Sequence, residues 1–299
     1  MRILVLGATG FLGRHATGQL RALPGARVLC AGRSPDADLV CDVATTEAGR
    51  LASVLRSAAP DAVVNCAGAV GGSAVELTAA NALGPAVLCA ALHEAAPRAR
   101  LVHLGSAAEY GPADGQRPAA ESGPARPLGL YGASKLAGTL AVTGSGLDAV
   151  VLRVFNPVGP GQPLASLPGR LAAELRRAAP DGVIRTGDLS AHRDFVDARD
   201  VARAVAHAVT ASGPLPPVLN IGSGTARRVR DLAEGLARAA GFRGTIEEDG
   251  DGSPRSAAVP WQQADVTAAA RALDWAPRYP LAESLSDVWA GTGPEENVR

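Results

Sequence analysis

Short apolar runs alternate with helix-like segments of about 10 to 20 residues along the first half of the chain, the signature of βαβ units around a parallel sheet. The pattern predicts strands near 2–6, 26–31, 62–66, 100–104 and 149–154, and helices near 11–22, 45–58, 73–95 and 130–143. Pro60-Asp61 announces one strand and Pro97 another. Right-handed crossovers bring the carboxyl ends of such strands to one edge, where ligands of open α/β sheets bind.

Beyond Asn156 the pattern changes. Pro157, Pro160, Pro163 and Pro168 with Gly159, Gly161 and Gly169 break regular structure, so this stretch is expected to leave the sheet layer. Helix-like runs return at 170–178, 197–211 and 227–240, a strand at 217–221 is expected to rejoin the sheet, 250–254 reads as loop, and 281–289 as a closing helix. The expectation is an α/β chain with a Rossmann-type doubly wound parallel sheet formed by residues 1–156, with 192–222 returning to it. Residues 157–191 and 223–299 would form a smaller C-terminal α/β substrate lobe.

Composition narrows the partners. With 299 residues, 47% apolar and 19% charged, the chain can bury a large core. Its 29 basic and 29 acidic residues cancel, so no long-range field draws in nucleic acid or an anionic membrane, and a small-molecule partner fits better. The start, Met1 to Gly7, lacks a signal-peptide pattern, and no apolar stretch is expected to reach the roughly 20 residues that span a bilayer. Cys30, Cys41, Cys66 and Cys89 lie singly in apolar runs, so they read as reduced packing residues rather than bridges or metal ligands. A cytoplasmic protein without a metal site is expected.

Gly7-Ala8-Thr9-Gly10-Phe11-Leu12-Gly13 follows the first strand and opens the first helix. In that context glycines let backbone amides approach a pyrophosphate at a positive helix N-terminus, pointing to a dinucleotide. An acidic residue ending the second strand would select NAD; here the strand ends Gly32-Arg33-Ser34, with no carboxylate until Asp36. Arg33 can pair with a 2′-phosphate through two parallel hydrogen bonds, helped by the Ser34 hydroxyl, which favours NADP(H) over NAD(H). Arg33 as a solvated surface residue, or stacked on adenine, is the alternative. Asp42-Val43 follows a third short strand, where a carboxylate can accept from the adenine amino group or simply cap the next helix. Small residues Ala67 and Gly68 close the fourth strand and leave room for the nicotinamide ribose.

Tyr131-Gly132-Ala133-Ser134-Lys135 places a phenol and an ammonium one helical turn apart on one face. A tyrosine of pKa about 10 is a poor acid/base at neutral pH unless a nearby cation stabilises the phenolate. Lys135 is the single lysine among the 29 basic residues. A compositional drift that replaces lysine wherever any cation serves leaves a survivor where guanidinium fails. Ser106, past the strand ending at Leu104, can bond a substrate oxygen beside Tyr131, or merely cap the strand end.

The ordered motifs GATGFLG, NCAG, LGSAAEYG, YGASK, LRVFNPVGPGQ and RDFVDARDVA resemble the extended short-chain dehydrogenase/reductase family, also called the NAD-dependent epimerase/dehydratase family, from Arg2 to the ALDWAP segment near Trp275. The resemblance implies Ser106, Tyr131 and Lys135 as catalytic residues. It sets Asn81 among the cofactor-site residues as a structural or proton-relay asparagine, with a buried helix contact as the alternative. It implies a nucleotide-activated sugar as substrate, with Asn156, Arg193 and Arg255 on its diphosphate, Arg255 standing ten residues before Asp265. It also implies a homodimer through helices 73–95 and 130–143. The 4,6-dehydratases of the family carry an Asp-Glu pair after the catalytic Ser or Thr, where this chain has Ala107-Ala108, so that reaction is disfavoured. Three readings follow: an NADPH-dependent ketoreductase, a C4-epimerase holding NAD tightly, or a non-catalytic NADP-binding sensor, which the retained Tyr/Lys pair disfavours.

Overall fold

The computed structural model describes residues 1–113, 115–250, 252 and 258–291. In chain order the elements are β1 (Arg2–Leu6), α1 (Phe11–Arg21), β2 (Arg27–Gly32), β3 (Leu39–Val40), α2 (Ala48–Ala58), β4 (Ala62–Asn65), α3 (Ala74–Thr78), a π-helical turn (Ala79–Leu83), α4 (Gly84–Ala95), β5 (Arg100–Ser106), α5 (Leu130–Thr143) and β6 (Ala149–Val154). Then come β7 (Pro157–Val158), α6 (Leu167–Arg177), β8 (Val183–Thr186), β9 (His192–Asp194), β10 (Val196–Asp197), α7 (Ala198–Thr210), β11 (Val218–Ile221), β12 (Ala226–Arg228), α8 (Val229–Ala239), β13 (Thr245–Glu248), α9 (Thr267–Leu273) and α10 (Leu281–Gly291).

The main sheet runs β3-β2-β1-β4-β5-β6-β11 with every pairing parallel, the doubly wound Rossmann arrangement. Strands covered on both faces must be apolar throughout rather than alternating, and Ile3–Leu6 and Ala62–Val64 are indeed buried without a break. Ile3, Val5, Val102 and Leu152 meet Leu20 of α1 and Val205 of α7 on one face; Leu4, Leu6, Val63 and Leu101 meet Leu51, Leu55, Leu88 and Leu92 of α2 and α4 on the other. The strand order reverses between β1 and β4, which opens a crevice at their carboxyl ends. The strand expected at 217–221 rejoins the sheet as β11 beside β6.

A separate core gathers Val158, Leu171, Leu175, Leu232, Leu236, Leu285 and Val288 from β7, α6, α8 and α10. Here the prolines misled: Pro168 and Gly169 lie in the first turn of α6, which Ser166 caps through Gly169 N. Proline is tolerated there because its missing N–H would have no intrahelical acceptor. The short strands β7 to β10, β12 and β13, and helix α9, carry too few residues to show a period. Of the 250–254 loop, only Gly250 and Gly252 lie within the described residues.

Another expectation is corrected by Ala74–Ala95. These 22 residues, with an 18-residue window of mean hydropathy 1.5, are long and apolar enough to cross a membrane. Their Leu88 and Leu92 pack instead with Leu51 and Leu55 of α2 and Val142 of α5, as a core helix does. The π turn inside this segment bulges toward α5, where a Cβ on Gly138 would lie 2.1 Å from the Asn81 carbonyl oxygen and 3.2 Å from Pro85. This contact sets the distance between the helix bearing Tyr131 and the π turn. Gly138→Ala is therefore expected to cost about 1–3 kcal/mol of stability through overpacking, measured as a fall in the thermal unfolding midpoint.

Candidate active site

The glycine turn forms a cradle at the crevice. Gly7 has φ +74°, and a Cβ there would lie 2.7 Å from Ala67 N, so only glycine lets the turn pass against the loop after β4. A Cβ on Gly13 would stand 2.0 Å from the Gly7 oxygen, so the first turn of α1 presses directly on the strand end. Gly10 is the N-cap of α1 and offers no side-chain acceptor, and no acidic residue stands in the first turn. The amides of Phe11, Leu12 and Gly13 thus keep the unsatisfied N–H groups and positive potential of a helix start. Thr9 and Gly10 are exposed beside them. These residues fit a dinucleotide pyrophosphate.

Farther along the crevice, Arg33 is exposed and makes no ion pair among the described residues, while Ser34 Oγ accepts from Asp36 N and closes a turn. Asp42 Oδ1 accepts from Ala44 N, and the Asp42 carbonyl accepts from the amides of Thr45 and Thr46. The carboxylate thus serves the turn that leads to α2, whose first residue is Ala48 rather than Thr45. Val43 has its side chain in the sheet core, which leaves only its backbone for a ligand.

Asn81 lies in the π turn. Its Nδ2 donates to Ala69 O (2.8 Å) and Ser134 Oγ (3.1 Å), and its Oδ1 accepts from Ala69 N (2.9 Å). Both donors are engaged by protein groups in a fully buried side chain, so Asn81 braces the Ala67-Gly68-Ala69 loop against α5. Gly68 lies between Asn81 and Lys135: a Cβ there would be 2.9 Å from Asn81 Oδ1 and 3.9 Å from Lys135 Nζ. A π turn at this place is the kind of helix irregularity that recurs at functional sites.

Tyr131 occupies the first turn of α5, half-buried, and Lys135 follows one turn on, only 6% exposed. The ammonium donates to the Leu104 carbonyl at the end of β5. Burial pulls the lysine pKa down to about 8, opposed by the negative charge of Glu109 and the nearby Cys66. Burial pushes the Cys66 thiol up to about 12, and it holds His103 well below its ordinary value, so both stay neutral around the ammonium. Ser106 ends β5, 8% exposed, with its Oγ accepting from Ala108 N (3.2 Å). That bond caps the turn and leaves the hydroxyl proton for another acceptor.

A cavity of about 330 Å³ opens at Tyr131, lined also by Ala108, Asn156, Arg193, Val259 and Gln262 among others. It brings Tyr131 together with two of the three residues expected on the substrate diphosphate; the third, Arg255, lies outside the described residues. Asn156 donates to the Asp194 carbonyl (2.9 Å), and Arg193 is held by its Nη1 on the His192 carbonyl (2.7 Å). Gln262 was not foreseen: its amide donates to Ala107 O (3.0 Å) and accepts from Asn156 (3.4 Å), tying the turn after Ser106 to the second lobe. Glu109 and Arg153 were also missed, although one charge in the apolar run Ala149–Val154 is a legible oddity. A larger hollow of about 600 Å³, lined by Gln116, Asp188, His192 and Trp261, contains none of Ser106, Tyr131 or Lys135. Directly after Ser106, Ala107 and Ala108 carry methyl groups that transfer no proton, and the Glu109 side chain is wholly buried.

Comparison with known proteins agrees with this geometry. The family model described as the NAD dependent epimerase/dehydratase family matches residues 3–222. The dTDP-6-deoxy-L-talose 4-dehydrogenase (NAD(P)(+)) of Kitasatospora kifunensis is 38% identical over 306 aligned residues, covering 96% of this chain and 94% of that protein. Among solved structures, MoeE5 in complex with UDP-glucuronic acid and NAD superposes with a TM-score of 0.83 at 28% identity, covering 98% and 99% of the two chains. RMD from Pseudomonas aeruginosa complexed with NADPH, at 24% identity and a TM-score of 0.84 over 97% and 98% of the chains, shares the fold. With a glycine cradle, a buried lysine beside a tyrosine and these relatives, the chain is an enzyme of the NAD dependent epimerase/dehydratase family, the extended short-chain dehydrogenases/reductases.

Proposed function

We propose that this enzyme is an NADPH-dependent ketoreductase acting at carbon 4 of a nucleotide-linked deoxysugar, with dTDP as the nucleotide. The observation that carries the reading is the buried ammonium of the only lysine, one turn from Tyr131, which lines a cavity together with Asn156 and Arg193. The relative from Kitasatospora kifunensis, named for a C4 oxidation of a dTDP-6-deoxysugar with NAD(P), supports the position and the nucleotide.

The dinucleotide, when bound, supplies the hydride to the carbonyl carbon. Tyr131 donates a proton to the carbonyl oxygen, so that ketone, hydride and proton balance as an alcohol. Lys135 makes this tyrosine a usable acid by stabilising its phenolate, and Ser106 donates a hydrogen bond to the same oxygen. Arg193 and Asn156 face the pocket where a diphosphate needs a fixed cation and amide donors. Exposed Arg33, free of ion pairs among the described residues, supports NADP(H) over NAD(H), and a cofactor that cells hold mostly reduced suits net reduction. Free thiols at all four cysteines suit a cytoplasmic location. The apolar exposed faces of α3 and α5, with Val75, Leu130 and Leu140 each more than half exposed, support a homodimer through these helices.

Incubation with NADPH and a dTDP-4-keto-6-deoxysugar is expected to consume NADPH, and the reverse reaction is expected with NADP and the 4-hydroxy sugar. No cofactor turnover in either direction overturns the reading, and NAD that copurifies with the protein and supports inversion at carbon 4 would replace it with epimerisation. Tyr131→Phe is expected to lose about 10²- to 10⁴-fold in turnover while still binding cofactor, read by single-turnover kinetics and fluorescence titration. Arg33→Ala is expected to raise the KM for NADPH roughly 10- to 100-fold and leave that for NADH nearly unchanged, as loss of a charge-assisted phosphate contact requires. Leu140→Glu is expected to convert the dimer to a monomer in light scattering.

A further inference from the structure

Beneath the cavity floor lies a second group of buried charges that the reaction as described leaves unexplained. Glu109 follows Ser106 by three residues and has no exposure at all. Its Oε1 accepts from the Ser106 amide (2.8 Å); its Oε2 accepts from Thr139 Oγ1 (2.9 Å) and from Arg153 Nε (2.7 Å). Thr139 stands one turn beyond Lys135 on α5, and Lys135 itself bonds the carbonyl two residues before Ser106. One carboxylate thus reaches the backbone of Ser106, the helix that bears Tyr131 and Lys135, and strand β6. Gly105 leaves the room it occupies, because a Cβ there would lie 2.8 Å from Glu109 Oε1. Arg153 in turn lies 4.6 Å over the Tyr110 ring, whose hydroxyl donates to Asn220 Oδ1 (2.7 Å).

A carboxylate and a guanidinium with almost no exposure are costly to bury, and a pair of apolar side chains would commonly serve stability as well. The arrangement needs another reason, and the position of Lys135 provides one. The titratable and charged groups around that ammonium are Glu109 from the turn after β5, Cys66 from the loop after β4, His103 from β5, Tyr131 on its own helix, and Arg153 of β6 through Glu109. Glu109 is the one carboxylate among them.

We propose that Glu109 is a positioning residue for the reaction: it holds Ser106 and α5 in register and supplies the negative charge that keeps Lys135 an ammonium, with Arg153 moderating that charge. The inference rests on Tyr131 and Lys135 being the reacting pair, but not on the identity of the sugar. Without Glu109, a buried lysine beside neutral Cys66 and His103 would lose its proton more readily, and Tyr131 would lose the cation that makes it an acid. Without Arg153, the unmoderated carboxylate would hold the lysine proton more tightly.

The single lysine makes the test direct. Protein labelled with ¹³C-lysine has one lysine side chain, so the Cε resonance of Lys135 can be titrated in the full chain without substrate. The wild-type enzyme is expected to titrate near the value of about 8 that burial and Glu109 set together. Glu109→Gln is expected to move the midpoint down by about one pH unit and Arg153→Gln to move it up, opposite directions that a packing defect does not produce. The basic limb of the reduction rate should follow in the same directions. Glu109→Asp, which keeps the charge on a shorter arm, should titrate close to wild type while turnover falls. Folded Glu109→Gln and Arg153→Gln proteins whose lysine titrates as in the wild type would overturn the proposal. Should Glu109→Gln fail to fold, an unmoved midpoint in Arg153→Gln has the same force. Because the titration needs no sugar, a protein that reduces no dTDP-sugar can still support it, and a competent reductase can still refute it.

Discussion

An ammonium taken out of water loses most of its solvation, and a site that retains one must surround it with acceptors and negative charge or lose the proton. Lys135 is in this situation, and much of the local architecture follows from it. The ammonium reaches the carbonyl of Leu104 because α5 lies close along the end of β5. That closeness in turn requires Gly138, where α5 meets the π turn, and the small Gly68 where it meets the loop after β4. A longer side chain at either place would lift the helix and take the phenol of Tyr131 with it.

The crevice itself comes from sheet topology. Strands β1 and β4 are neighbours whose connections leave in opposite directions, so their carboxyl ends are not roofed by a crossover. Gly7 turns left-handed there and Gly13 presses the first turn of α1 onto the strand, placing helix amides at the opening. Asn81 and Gln262 act as braces on the two sides of the same site. Asn81 holds the loop after β4 to α5, and Gln262 bonds both the turn after Ser106 and Asn156. Asp194 completes the link between lobes, its carboxylate accepting from the amides of Ser223, Gly224 and Ala264.

The alternation of strands and helices, the glycine turn and the spacing of Tyr131 and Lys135 were legible because each depends on near neighbours in the chain. Apolar runs of strand length, glycines in one turn, and two side chains one helical turn apart are all local patterns. The start of α6 was misjudged because proline reads as a breaker except in a helix's first turn, and the distinction depends on Ser166 acting as a cap. Asp42 bonds the amide of Ala44 two residues on, a local turn that its sequence already allowed, whereas Asn81 meets Ser134 across 53 residues, a contact that only the folded chain brings about.

The sequence by itself determined that a parallel sheet would form, that a glycine turn would open its first helix, and which phenol and ammonium would stand one helical turn apart. Periodicity and local spacing carry that information. Only the tertiary structure decided what surrounds the ammonium: Glu109 meets Arg153 across 44 residues, Lys135 meets Leu104 across 31, and Gln262 meets Ala107 across 155. Such contacts between distant segments leave no period in the chain, since they arise from the sheet order and the helix packing that bring the segments together.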